Sequence, residues 1–367
     1  NCPATDQRGA ARPAPAGGLC DIGAFEATPL IPAAIVVAGF PSPITAGALG
    51  TFTVTITDSL GNTVTSYSGA IHFTSSDPQA TTGAGLPADF TFPFSDRGSH
   101  IFTNGATLKT TGTQSITATD TVTTSVTGSQ TGITVTPAAI SALLVAGFPN
   151  PVNANAPGTV TVSARDAFAN LTPNYTGTVH LTSNDPLAVL PADYTFTIGS
   201  GNDNGMHTFS VTLKSAGSPP KSITATDATH SLTGVQSGII VNPAVTRVEP
   251  SSGPIGGGAA VTLHGFGFAA GAAVTFDTSA ATNITVVNDT TITCTTPAHS
   301  TGAVTVTVTI AGATGALPGA YTYGIINPEP PPRPGPPPSG GPPHVAPPSR
   351  PGPPPSGGPP APLPKLR

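Results

Sequence analysis

Along most of the chain, apolar and polar residues alternate one by one. Thr51-Phe-Thr-Val-Thr-Ile-Thr57 places Phe52, Val54 and Ile56 on one face and four Thr on the other, the period-two signature of a half-buried strand. Thr159-Val-Thr-Val-Ser-Ala-Arg165 repeats the pattern, and an Asp-x-x-x-Asn turn follows each run, from Asp58 to Asn62 and from Asp166 to Asn170. Short runs of this kind recur, separated by turn residues, and no long helical periodicity interrupts them. The pattern predicts an all-β chain of sandwiches with seven or so strands each and almost no helix.

Self-comparison shows how these strands are grouped. Val36-Val-Ala-Gly-Phe-Pro41 returns as Leu144-Val-Ala-Gly-Phe-Pro149, and His72-Phe-Thr-Ser-Ser-Asp-Pro78 as His180-Leu-Thr-Ser-Asn-Asp-Pro186, both 108 residues on. Leu86-Pro-Ala-Asp-Phe-Thr-Phe92 returns as Leu190-Pro-Ala-Asp-Tyr-Thr-Phe196, and Ile116-Thr-Ala-Thr-Asp120 as Ile223-Thr-Ala-Thr-Asp227. A unit this long is a domain, not one turn of a solenoid. On these blocks, and on Thr-Gly-x-Gln-x-Gly at 127–132 and 233–238, both units resemble bacterial immunoglobulin-like repeats of secreted and surface proteins. They are expected at 29–137 and 138–243.

The period breaks after them. Val248-Glu-Pro-Ser-Ser-Gly-Pro-Ile-Gly-Gly-Gly258, Val261-Thr-Leu-His-Gly-Phe-Gly-Phe268, Thr291-Ile-Thr-Cys-Thr-Thr-Pro297, Gly302-Ala-Val-Thr-Val-Thr-Val308 and Tyr321-Thr-Tyr323 occur in order. Residues 244–324 thereby resemble an IPT/TIG domain, which implies a smaller immunoglobulin-like sandwich. Thr5-Asp-Gln-Arg-Gly9, Arg12-Pro13 and Cys20-Asp-Ile-Gly-Ala-Phe-Glu26 resemble the closing segment of right-handed parallel β-helix proteins from bacterial surfaces. Residues 1–28 are therefore expected to be the remnant of such a helix, and the chain to be a mature form or fragment. The remainder, 325–367, is expected to be a disordered Pro-rich tail. Of the 44 Pro, 20 fall in residues 328–367, where Arg-Pro-Gly-Pro-Pro-Pro-Ser-Gly-Gly-Pro-Pro occurs at 333–343 and 350–360, a composition that favours extended, solvated chain.

Composition narrows the chemistry. Only 8% of the 367 residues are charged, and 12 Lys and Arg against 17 Asp and Glu give a formal charge of -5. No basic surface exists to attract phosphates, so nucleic acid is not an expected partner. The longest apolar stretches are too short for a membrane helix, so no membrane span is expected. Cys2 and Cys20 are the disulfide candidate in an extracellular setting, whereas Cys294, in phase with Ile292, is expected to be a buried, inert thiol.

The His and Asp residues recur as repeat-equivalent pairs. His72 and His180, and His100 and His207, lack a second His or Cys at ligand spacing, so packing or surface contact is the favoured reading. Asp58/Asp166, Asp77/Asp185, Asp89/Asp193, Asp96/Asp203 and Asp120/Asp227 are expected to make turn and cap hydrogen bonds. Structural calcium between two loops is the weaker alternative, and no other cofactor is expected. Gly256-Gly-Gly258 lacks the Lys-Ser/Thr of a phosphate loop and reads as a tight turn. With no Gly-x-Ser-x-Gly elbow and no assembled triad, no catalytic residue is expected and the chain is not read as an enzyme.

The leading expectation is a non-catalytic structural or adhesive stalk of a secreted or cell-surface bacterial protein, with surface proteins or extracellular glycans as partners. Self-association through Thr-rich edge strands is left open. The alternative is the accessory part of a polysaccharide-acting enzyme whose β-helix lies upstream. Sugar binding would call for exposed aromatic platforms, and the chain has no Trp and 5 Tyr.

Overall fold

The alternating runs become strands in the expected phase: Phe52, Val54 and Ile56 are at most 1% exposed, while the Thr between them face outward. The computed structural model describes residues 30–324, which form three successive β-sandwiches. The segments 1–28 and 325–367, with the expected β-helix remnant and Pro-rich tail, lie outside the described residues.

In the first sandwich, strands Ala34–Ala38, Leu49–Thr57 and Ser99–Thr107 form one sheet. The other runs Ile44–Thr45, Thr127–Thr136, Gly112–Asp120, Ala70–Ser75, Phe90–Thr91. Within these two sheets pairing is antiparallel except where Ile44–Thr45 joins Thr127–Thr136 in parallel. The second sandwich repeats the plan. Ile140–Ala146, Pro157–Asp166 and Met206–Thr212 face a sheet of Tyr194–Thr195, Thr178–Ser183, Lys221–Asp227 and Leu232–Ile239, and Val152–Asn153 pairs in parallel with Val241–Asn242. In the third, Ala244–Glu249, Ala260–Phe266, Thr291–Thr295 and Thr282–Asn288 form one sheet. Ser252–Pro254, Ala313–Gly324, Gly302–Ile310, Ala273–Phe276 and Ser279–Ala280 form the other.

The first sandwich is filled largely by Phe. Phe52 stacks on Phe102 at 5.0 Å between ring centroids and meets Phe73 edge-on at 5.7 Å. Burying each such ring contributes about 1.5–3 kcal/mol. The buried core residues of this sandwich all come from 35–135, so it closes on its own core as an independent folding unit. The second and third sandwiches instead share one continuous core, and a single residue, Pro243, separates Val241–Asn242 from Ala244–Glu249.

The Thr-Gly-x-Gln-x-Gly block has a structural cause. The first strand of each repeat crosses the edge of the opposite sheet at this glycine. A Cβ on Gly128 would lie 1.6 Å from the Ile35 carbonyl oxygen, and one on Gly234 would lie 2.2 Å from that of Leu143. Two residues on, Gln130 closes the gap. Its Oε1 accepts the Phe40 N–H (2.9 Å) and its Nε2 donates to the Phe40 carbonyl (2.7 Å). Gln236 does the same for Phe148, at 2.9 and 2.8 Å. A side-chain amide thus replaces a ladder partner for the Phe40 and Phe148 backbone groups where the strand leaves the sheet.

Candidate functional site

The repeated polar residues carry the candidate chemistry of the first two sandwiches. Asp77 is 1% exposed. Its Oδ2 accepts the backbone N–H groups of Lys109 (2.5 Å) and Thr110 (2.9 Å), and its Oδ1 that of Gln79 (2.9 Å). Asp185 binds Lys214, Ser215 and Leu187 in the same way. Burial disfavours both carboxylates, but the converging donors outweigh it and hold them below the usual carboxylate range. Asp120 and Asp227 likewise carry lowered values, set by burial against hydrogen bonds. Each accepts a buried tyrosine hydroxyl, from Tyr67 at 2.5 Å and Tyr175 at 2.6 Å, and burial with the adjacent carboxylate pushes both phenols well above their ordinary value.

The remaining duplicated pairs correct the expectation of turn and cap bonds alone. Asp89 and Asp193 bond the Nδ1 atoms of His72 and His180, each at 2.6 Å. Asp96 and Asp203 bond those of His100 and His207, at 2.7 and 2.6 Å. His207 also stacks on Tyr194 with ring centroids 3.8 Å apart, and His100 lies 4.1 Å from Phe90. The spacing of these partners is 17, 13 and 4 residues, so only strand pairing brings the first two sets together. His264 and His299, without a role in the sequence reading, lie 3.3 Å from Glu249 and 3.4 Å from Asp277. Among the described residues, no three His, Cys, Asp or Glu are grouped to hold a metal ion.

Cys2 and Cys20 lie outside the described residues. Cys294 is buried beside Ile292, and burial pushes its thiol up to about 11, where little thiolate exists at neutral pH. Gly257 and Gly258 have φ of 71° and 80° in a tight turn, as their sequence suggests. No helix among the described residues is long and apolar enough to cross a membrane.

The two sites that join different sandwiches are the least legible in the sequence. At the first junction the 166–170 turn of the second sandwich enters the end of the first. Phe168 covers Gly47 so closely that a Cβ there would lie 2.4 Å from the ring. Asn170, 7% exposed, donates from Nδ2 to the Lys109 carbonyl (2.7 Å) and accepts at Oδ1 from the Thr111 N–H (3.0 Å). Gln79 Nε2 donates to the Phe168 carbonyl at 3.2 Å.

Asp166 holds the turn in shape. It accepts the N–H groups of Phe168, Asn170 and Ala138 and the Asn170 amide, all within 3.0 Å. Burial works against its charge, and these donors keep its value below the usual range. At the second junction Gly267 of the third sandwich abuts Ala154, Lys214 and Ala216 of the second. Asn170 also begins an Asn-Leu-Thr sequon, but its buried, doubly engaged amide leaves no room for a glycan.

Residues 243–323 match the family model described as the IPT/TIG domain, so the third sandwich is of that kind. No curated protein matches the chain. Among solved structures, the chain is similar to the Escherichia coli adhesin FdeC at 17% identity, covering 80% of this chain and 99% of that one, with a TM-score of 0.35. It is similar to invasin, a bacterial integrin-binding protein, at 16% identity over 79% of this chain and 60% of that one, with a TM-score of 0.26. A third is SGBP-B from a complex xyloglucan utilization locus in Bacteroides uniformis, at 16% identity over 50% and 49% of the two chains, with a TM-score of 0.21.

Proposed function

We propose that this chain serves outside the cell as a non-catalytic spacer and contact segment of a bacterial secreted or surface protein, holding a protein- or glycan-contacting surface in a fixed geometry. The observation that supports this reading most directly is the construction of the junctions. Three residues, 137–139, join Thr127–Thr136 to Ile140–Ala146, and one joins the second sandwich to the third. At the first junction direct bonds and the Phe168 ring support a fixed geometry, and at the second the shared core does. The duplicated Asp, His and Tyr groups, which would have to supply acid–base chemistry, are engaged in bonds within their own sandwiches. The carbohydrate-accessory alternative has less support, since Phe94, 75% exposed, is the one exposed Phe or Tyr ring among the described residues.

The test is protease shaving of intact bacteria that express the full-length protein. Peptides from residues 30–324 released into the medium support an extracellular spacer. Their recovery only after lysis would overturn it.

A further inference from the structure

Both junctions use equivalent ends of the repeats. Gly47 N–H bonds the Leu108 carbonyl at 2.8 Å, and at the equivalent position Asn155 N–H bonds that of Leu213 at 2.9 Å. Against the first of these ends sits the 166–170 turn, and against the second sits Gly267. One end of each repeat is a seat, and the loop that follows the strands Leu49–Thr57 or Pro157–Asp166 is a plug.

The first sandwich carries its own plug, folded like the one that is seated. Asp58 Oδ1 accepts the N–H groups of Leu60 (2.9 Å) and Asn62 (2.8 Å), and Oδ2 accepts the Asn62 amide (3.0 Å). The seated turn has 2.9, 2.8 and 2.8 Å at Phe168 N–H, Asn170 N–H and the Asn170 amide. The left-handed residue is Gly61 at φ 85° in one and Ala169 at φ 67° in the other. The two turns differ in what covers them. Phe168 is packed on the neighbouring sandwich, while its equivalent Leu60 is 84% exposed. Asn170 bridges to Lys109 and Thr111, while Asn62 is exposed and bonds, among the described residues, only within its own turn. Ile31, at the same end of the sandwich, is a further 76% exposed apolar side chain.

We propose that the 58–62 turn is a docking surface for the seat end of another immunoglobulin-like unit of this repeat class. Leu60 enters over a glycine as Phe168 does over Gly47, and Asn62 bridges a backbone carbonyl and amide as Asn170 bridges those of Lys109 and Thr111. Both repeat-class seats among the described residues are filled, so the occupant is an additional unit and not a second copy of the chain. The inference stands on the duplicated geometry and is independent of where the protein resides.

The probe is the first sandwich alone, residues 30–137, whose core is self-contained and whose Gly47 seat is open. It carries Leu60→Asp so that it cannot chain to itself. Docking without a linker lacks the millimolar effective concentration that a tether supplies, so the isotope-labelled full chain is titrated with probe to millimolar levels and followed by amide NMR. Expected are saturable shifts at Leu60, Gly61 and Asn62, weakened at least tenfold by Gly47→Leu in the probe or by Asn62→Ala in the full chain. A well-dispersed spectrum of each variant establishes that it folds. Absence of shifts at the 58–62 turn, or shifts of equal strength with the filled-seat probe, would overturn the proposal.

Discussion

Asn170→Ala and Asn62→Ala remove the same side chain from the same turn in two different surroundings. In the second sandwich the change deletes the bonds to the Lys109 carbonyl and Thr111 N–H and the bond to the Asp166 carboxylate. At about 1 kcal/mol for each neutral bond and about 1.5 for the charged one, the loss is about 3–4 kcal/mol, because burial keeps water from replacing them. In the first sandwich only the bond from the exposed Asn62 to Asp58 is lost, and water compensates part of it. The expected loss there is about 1 kcal/mol.

Urea unfolding followed through the amide resonances of each sandwich measures both. With a slope of about 2 kcal/mol per molar urea, the midpoint of the second sandwich falls by about 1–2 M in Asn170→Ala, and that of the first by about 0.5 M in Asn62→Ala. The 109–111 segment of the first sandwich should also lose hydrogen-exchange protection in Asn170→Ala while its core strands keep theirs. Equal shifts in the two variants would refute the argument, since they would mean that the bonds across the junction contribute nothing.

Other duplicated positions give similar contrasts. Tyr67→Phe strips Asp120 Oδ2 of its hydroxyl donor and should destabilise the first sandwich by about 2–3 kcal/mol. Tyr175→Phe should cost less, because His230 Nδ1 still reaches Asp227 Oδ2 at 2.7 Å; thermal or urea unfolding of each variant decides this. Acid should act through Asp77, Asp120, Asp166, Asp185 and Asp227, whose folded values are all lowered. Their contribution is therefore fully present above the ordinary carboxylate value of about 3.9 and is lost as pH falls below it. A urea midpoint that holds steady from pH 7 to 5 and drops below about pH 4 is expected, and one that rises on acidification would contradict these assignments. Cys294 should resist a thiol reagent in the native chain at pH 8 and react once urea unfolds the third sandwich.

Strand phase was legible because it depends only on neighbours in the chain: Phe52, Val54 and Ile56 point inward as their alternation requires. Domain-length repetition was legible for the same reason, and the IPT/TIG blocks lie in the segment that the family model matches. What could not be read depends on residues brought together from afar. The glycine of Thr-Gly-x-Gln-x-Gly shows no cause within its own segment, and that cause is the Ile35 carbonyl crossing the sheet edge 93 residues away. Nothing in the sequence joins His72 to Asp89, 17 residues on, until strand pairing sets them side by side. Asp58 to Asn62 and Asp166 to Asn170 carry the same motif in the sequence, yet one turn is exposed and the other locks a junction, a distinction that only the neighbouring sandwich creates. The repetition of Asp-x-x-x-Asn in both units was the available signal that this turn mattered.

The central claim is that the successive sandwiches are held in one fixed arrangement by their junctions. Electron–electron distance measurement tests it most directly. Spin labels are placed at Val122→Cys in the first sandwich and Val287→Cys in the third, both exposed positions, in a chain with Cys2→Ser and Cys20→Ser, while buried Cys294 stays unlabelled. A single narrow distance distribution is predicted, broadening when Phe168→Ser and Asn170→Ala are introduced together. A broad distribution in the parent chain, unchanged by those two substitutions, would contradict it.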